Sequence, residues 1–504
     1  MVLPALLVLL QAPAAQAQRP TSTDSVRPAP PAAITAETAP VVTRHTIRAG
    51  GRVLSYTVTT GMMPLRDERG NIEAQVFFMA YTVDGTTSPA TRPLMFSFNG
   101  GPGSASVWLH LGAIGPRRVR MDDEGWMPAA PYELVDNDQT WLEFTDLVFI
   151  DPVGTGFSRA ATAELGRKFW SFRGDVESVG TFIRLYLTRY ERWASPLFLV
   201  GESYGTTRAA GLSRWLVDHG IALNGVVLVS TILNFQTARF GTGNDLPYAL
   251  FVPMYTATAW YHKKLAPELQ GDLRRALAES ERWVDTDYTV ALQKGDALAP
   301  EERRRIAAQL ARLTGLSPEV VERHNLRISL GQFQKELLRD KARTVGRLDS
   351  RFTGWDATAG GESPEFDPSM TAIRPPYTAA FNDYVRRELK YRSDLEYYIL
   401  GGGIGAPWTY ETDNAFADIG EQLRSAWARN PHMRLMVAFG YYDGATPYYA
   451  AEYTLRHLRL DPAIRDRVIR TYYEAGHMMY IHLPSLAKLR RDVGQFVRAA
   501  APTS

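Results

Sequence analysis

Residues 196–208, PLFLVGESYGTTR, decide the fold. Pro196-Leu197-Phe198-Leu199-Val200 is an apolar run of strand length, and from Tyr204 to Leu216 apolar residues recur at helical spacing with no proline. Between them Gly201-Glu202-Ser203-Tyr204-Gly205 turns the chain sharply, with glycines on both sides of the serine where a Cβ would collide. A strand that breaks into a helix through such a turn holds one hydroxyl out on a tight corner, so Ser203 is the candidate nucleophile. An ordinary strand-to-helix connection with an incidental glycine turn is the plainer alternative.

Four further short apolar runs, Leu94 to Phe98, Leu147 to Ile150, Val226 to Val229 and Leu435 to Phe439, match the one at 197–200. Such runs suit parallel strands covered on both faces, which predicts an α/β class with a mostly parallel central sheet and functional loops at the strands' C-terminal ends. Upstream, VLSYTVTT and AQVFFMAYTV alternate between Val41 and Asp84, as N-terminal antiparallel hairpins at a sheet edge do. From Asn234 to about Ala379 the pattern turns helical and charged, as in PEERRRIAAQLARLTGL. A compact domain does not leave so long a connection structureless, so this stretch reads as a helical insertion, either a cap over the sheet or a plain packing subdomain. The division is then core at 41–235 and 380–504, with the insertion at 236–379.

Residues 1–17 pair an apolar stretch, Val2 to Leu10, with an Ala15-Gln16-Ala17 end that suits signal-peptide cleavage, so export to a periplasm or the exterior is expected, without stable membrane insertion afterwards. No Lys or Arg precedes the apolar stretch, which leaves open an upstream start or an uncleaved interfacial anchor. Residues 18–40, rich in Pro, Ala, Thr and Ser, read as a disordered linker.

With 504 residues, 45% hydrophobic, the chain has ample material for a large core. A net charge of +2 without a long basic face argues against nucleic acid as a partner. The absence of cysteine excludes disulfides, thiolate catalysis, a Cys-ligated metal and a lipid-modified cysteine, and says little about compartment.

A serine hydroxyl is a poor nucleophile near neutrality and needs a general base oriented by a carboxylate. In strand-turn-helix hydrolases these follow the serine as acid and then histidine, each on a loop after a later strand. The run Leu435 to Phe439 leads into Gly440-Tyr441-Tyr442-Asp443, and Val468 to Tyr473 into Glu474-Ala475-Gly476-His477, so Asp443 and His477 are the candidates. His482 is the next histidine to consider. Asp413 and Asp418 are poorer acids, because their segment reads as the start of a helix. An oxyanion hole needs converging backbone N–H groups, for which Tyr204 and Gly101, in Asn99-Gly100-Gly101-Pro102-Gly103, are candidates.

Together FNGGPG (98–103), DPVGTGFS (151–158), GESYG (201–205), GYYDGATP (440–447) and AGHM (475–478) resemble the serine carboxypeptidase family of the α/β-hydrolase fold. The resemblance implies release of a C-terminal amino acid from peptide substrates through an acyl-enzyme, with no metal or organic cofactor. It implies Ser203 as nucleophile, His477 as base and Asp443 as its orienting acid, with Asn99 and Glu202 gripping the substrate's terminal carboxylate. Two carboxylates in a poorly solvated pocket must share a proton, so Glu202 is expected to have a raised pKa. Simple pairing of Glu202 with a neighbouring arginine is the alternative.

The chain departs from that family's pattern in having Ser104 where cysteine is common, so that packing must hold the loop. Tyr441 stands where an aspartate is frequent. Ala113 precedes Ile114-Gly115-Pro116 where a glutamate is common, with Arg117 and Arg118 beyond, one of which is a candidate aid to carboxylate binding. An esterase or acyltransferase using the same nucleophile is an alternative function, since plant relatives of the family transfer acyl groups. A non-catalytic peptide-binding protein is a further one. Oligomeric state is not legible.

Overall fold

The computed structural model describes residues 36–86, 88–413 and 415–501; the expected signal peptide and residues 18–35 of the expected linker lie outside them. Among the described residues a ten-stranded sheet organises the chain. We number nine of its strands β1 (Val41–Ala49), β2 (Arg52–Arg66), β3 (Ile72–Val83), β4 (Leu94–Phe98), β5 (Asp146–Ile150), β6 (Leu197–Ser203), β7 (Gly225–Thr231), β8 (Arg434–Gly440) and β9 (Val468–Tyr473). The spatial order is 1-2-3-5-4-6-7-8-9, and the two-residue strand Arg159–Ala160 pairs beside β3.

The first three strands form antiparallel hairpins, and β3 joins the rest antiparallel to β5. From β5 through β9 every pairing is parallel. All five apolar runs are therefore adjacent parallel strands.

Alternation explains why these runs look uniformly apolar. On one face Phe96, Leu199, Leu228 and Val437 join a core with Phe182 and Ile183 of α1 (Phe172–Arg189) and Leu212 and Leu216 of α2 (Tyr204–Asp218). On the other, Met95, Phe198, Val227 and Met436 pack with Phe381 and Tyr384 of α3 (Pro368–Arg387) and Leu489 and Phe496 of α4 (Leu483–Ala500). Each strand thus feeds two cores, and within the five runs Ser97 is the single polar residue.

The long connection from β7 to β8 carries most of the remaining helices, including Val252–Tyr261, Leu273–Trp283 and Pro300–Thr314. Residues 36–40 lie outside any strand, yet Glu37 pairs with Arg66 at 3.0 Å and Arg189 at 2.6 Å. No described helix is long and apolar enough to cross a membrane.

Candidate active site

Ser203 ends β6 with φ 60° and ψ −130°, a conformation that residues with a Cβ rarely adopt. The flanking glycines make the corner possible: a Cβ on Gly201 would lie 2.2 Å from the Gly205 carbonyl oxygen, and one on Gly205 would lie 3.0 Å from that of Phe98. As the first residue of α2, Tyr204 has no intrahelical acceptor for its N–H. The loop after β4 closes on this point, since a Cβ on Gly100 would stand 2.4 Å from the Tyr204 nitrogen. Gly101, at φ +99°, has an N–H without an acceptor among the described residues. The two expected oxyanion donors therefore belong to touching segments.

Parallel order brings the other partners to the same edge. Asp443 follows β8 and His477 follows β9, both strands lying beyond β7 on the same side of β6. His477 Nδ1 donates to Asp443 Oδ2 at 2.8 Å, which assigns the ring proton to Nδ1 and leaves Nε2 as the basic nitrogen. Fully buried Asp443 also accepts from the Ala445 and Thr446 N–H groups at 2.8 and 3.0 Å and from Thr446 Oγ1 at 2.8 Å. Burial presses the imidazole's pKa down, but attraction and hydrogen bonding to Asp443, with a contribution from Glu202, outweigh it and leave His477 raised. Ser203 and His477 share the wall of one cavity of about 220 Å³, and no hydrogen bond joins them among the described residues. Such contacts are often loose before substrate binds.

Asn99 and Glu202 line the same cavity, with Asn99 Nδ2 donating to Glu202 Oε1 at 3.1 Å. Asn99 is held on three sides: its Oδ1 accepts from the Leu109 N–H at 3.0 Å, and its carbonyl from Arg208 Nη1 at 2.6 Å. Arg208 in turn pairs with Asp175 at 2.8 Å in a buried network that also takes the Tyr204 hydroxyl. Burial pushes Glu202 up to about 7 despite the opposing pull of His477. Its partner is an asparagine and not an arginine. Glu202 Oε2 and the Tyr480 hydroxyl are buried and have no partner among the described residues. The phenols of Tyr480 and Tyr377 pack against Gly112, where a Cβ would collide with the Tyr480 ring and with the Tyr377 hydroxyl at 2.7 Å.

None of the alternatives considered for the base and the acid, His482, Asp413 and Asp418, is on the cavity wall, and two are engaged elsewhere. His482 bonds Ser485 at 2.8 Å, and Asp418 takes Asn234 Nδ2 at 3.1 Å and the Gly420 N–H at 3.0 Å. Arg117 pairs with Asp136 and, at 2.9 Å, Glu388, and neither it nor Arg118 is on the cavity wall. Ser104 is held by backbone bonds between loops: Ala105 N–H donates to the Ile399 carbonyl at 3.1 Å and Gly401 N–H to that of Gly103 at 2.9 Å.

Sequence reasoning missed one contributor, the segment Arg347–Arg351 of the β7–β8 connection. The Leu348 carbonyl accepts the His477 N–H at 2.7 Å, the Arg347 carbonyl accepts the Gly444 N–H at 3.0 Å, and the Ser350 N–H donates to the Tyr442 carbonyl at 3.0 Å. Buried Asp349 takes the Gly476 N–H at 3.0 Å and pairs with Arg351 at 2.7 Å. The loops bearing Asp443 and His477 are thus tied to one clamp. Nothing in RLDSR distinguishes it from an ordinary charged loop.

Among relatives, the chain is 33% identical over 170 residues to pheromone-processing carboxypeptidase KEX1 of Saccharomyces cerevisiae (strain JAY291), covering 32% of this chain and 22% of that protein. It is 30% identical over 198 residues to serine carboxypeptidase-like 16 of Arabidopsis thaliana, covering 37% of this chain and 42% of that one. The matches thus span less than half the length of these relatives. Among solved structures, Kex1Δp, a prohormone-processing carboxypeptidase from Saccharomyces cerevisiae, superimposes with a TM-score of 0.49 at 17% identity, covering 88% of this chain and 91% of that one. The family model for serine carboxypeptidases matches residues 54–314, just over half of the sequence and inclusive of both the 98–103 loop and the Ser203 turn, and the chain therefore belongs to the serine carboxypeptidase family.

Proposed function

We propose that this protein is a serine carboxypeptidase that removes the C-terminal residue of peptides. Ser203 Oγ attacks the carbonyl carbon of the last peptide bond as His477 Nε2 takes its proton, and Asp443 stabilises the imidazolium through Nδ1. The N–H groups of Gly101 and Tyr204 receive the oxyanion. His477 then protonates the leaving amine, the terminal amino acid departs, and water resolves the acyl-enzyme by the reverse route. This chemistry calls for no metal or organic cofactor. Of the expected insertion, 236–379, the part before α3 acts as the cap, since α3 (Pro368–Arg387) runs through the expected boundary at 379/380 and packs on the sheet. The 1–17 stretch supports export to a periplasm or the exterior.

The observation that carries the reading is the Asn99–Glu202 pair in the cavity that also holds Ser203 and His477. A carboxyl with a pKa near 7 is protonated at neutral to acid pH, so it donates to a peptide's terminal carboxylate where an ionised one would repel it. Ester hydrolysis or acyl transfer by Ser203 requires no grip on a terminal carboxylate. The test compares an N-blocked dipeptide with its C-terminally amidated twin. The free acid should be preferred by at least ~10-fold in kcat/KM, the worth of one charge-assisted hydrogen bond. Equal cleavage of the two refutes the proposal.

A further inference from the structure

Three ionisable side chains share the cavity wall: Glu202, His477 and Arg347. The first two have roles in the proposed reaction. Arg347 has none, and its circumstances differ from those of neighbouring arginines. Arg327 and Arg351 of the same connection pair with Asp245 at 2.6 Å and Asp349 at 2.7 Å. The guanidinium of Arg347 is exposed, and among the described residues it has no carboxylate within 4 Å and no hydrogen-bond acceptor. Its main chain is fixed, with the N–H donating to Asp367 Oδ1 at 3.0 Å and the carbonyl accepting from Gly444 at 3.0 Å. Arg347 and His477 line the same cavity as Ser203.

Because a terminal carboxylate is already provided for by Asn99 and Glu202, a free cation here is matched to a second negative charge. Met370, Ile373 and Ala445 line the same cavity and suit the methylenes of a short side chain. The volume, about 220 Å³, falls below the ~300–1,000 Å³ that takes a drug-sized ligand, which favours a compact residue. Guanidinium groups recognise carboxylates through paired parallel hydrogen bonds.

Building on the carboxypeptidase reading, we propose that Arg347 is a specificity residue that selects peptides with an aspartate or glutamate side chain beside the scissile bond. The charge-assisted contact favours glutamate over its neutral isostere glutamine by about 10-fold, and salt weakens the preference because the guanidinium is exposed.

Four N-blocked dipeptides test it, with Glu or Gln placed either last or next to last and Ala at the other position. The wild type should show a Glu-over-Gln ratio of about 10 in kcat/KM at one of the two positions, which identifies the subsite. Arg347→Met should bring that ratio to about one, and Arg347→Glu should turn the preference toward lysine, a reversal that loss of mere support does not produce. Cleavage of all four dipeptides without a Glu-over-Gln preference overturns this inference and leaves the carboxypeptidase reading standing. An equal loss on Glu and Gln substrates in Arg347→Met also overturns it, because the residue then serves binding in general. If no dipeptide is cleaved the carboxypeptidase reading fails, and calorimetric affinities of the same dipeptides for Ser203→Ala protein decide the matter for Arg347. Tighter binding of Glu than Gln sustains it, and equal binding overturns it.

Discussion

Glu202→Gln separates carboxylate recognition from catalysis by pH alone. The geometry tolerates the change: the introduced amide oxygen keeps the bond from Asn99 Nδ2, and the amide nitrogen stands in for the protonated, unpartnered Oε2 of the native carboxyl. In the wild type only the protonated form grips a carboxylate, so kcat/KM for a free-acid dipeptide should fall above the Glu202 pKa of about 7 by ~10-fold per pH unit, or ~100-fold by about pH 9. On the acid side His477 must lose its proton, and its raised pKa sets that limb. The two groups interact, so the limbs report macroscopic values of the pair. The variant should lose the alkaline fall, and its acid limb should move to lower pH because Glu202 no longer raises His477. Stability gives an independent readout. A carboxyl raised from its ordinary 4.5 to about 7 binds its proton more tightly in the native state, a stabilisation complete below pH 4.5 and gone above about 7. Glu202→Gln should therefore gain up to about 3 kcal/mol on the wild type as pH rises through that window, measured by urea denaturation. An alkaline fall that persists unchanged in the variant refutes the role assigned to Glu202.

Thr446→Val removes the hydroxyl that donates to Asp443 Oδ2 at 2.8 Å, so the carboxylate pulls harder on His477. The acid limb of kcat should move to higher pH with a drop of about 10-fold at neutrality, and an unmoved limb counts against a positioning role. Asp349→Asn leaves buried Arg351 with only the longer, half-exposed pairing to Glu124 at 3.5 Å and weakens the tie to Gly476, and should cost about 2–3 kcal/mol in denaturant titrations. Replacing both partners, as in Asp349→Leu with Arg351→Met, should cost less than the single change. Ser203→Ala should abolish turnover and fluorophosphonate labelling while the melting temperature stays close to that of the wild type, because the serine hydroxyl has no hydrogen-bond partner among the described residues.

The parallel strands were legible because a strand covered on both faces is almost wholly apolar, as at Leu94–Phe98, where Ser97 is the single polar residue. Ser203, Asp443 and His477 were picked out for a different reason. Each sits where a strand ends, and topology alone carries such ends to one edge. Asn99 and Glu202 came only from the resemblance of FNGGPG and GESYG to the serine carboxypeptidase family. What escaped depends on contacts between distant segments. Leu348 meets His477, and Arg208 reaches Asn99, across more than a hundred residues of chain. Arg117 shows the converse error: proximity in sequence to a motif suggested a role, whereas Asp136 and Glu388 claim its guanidinium.

The clamp at Arg347–Arg351 bears on how substrate is admitted. Leu348 holds the His477 backbone, and Asp349 grips the glycine before it. Peeling this stretch away would unseat the imidazole as well, because the Leu348 carbonyl and the Asp349 carboxylate would leave with it. On the proposed mechanism, substrate is therefore admitted past other walls of the cavity while this stretch stays in place.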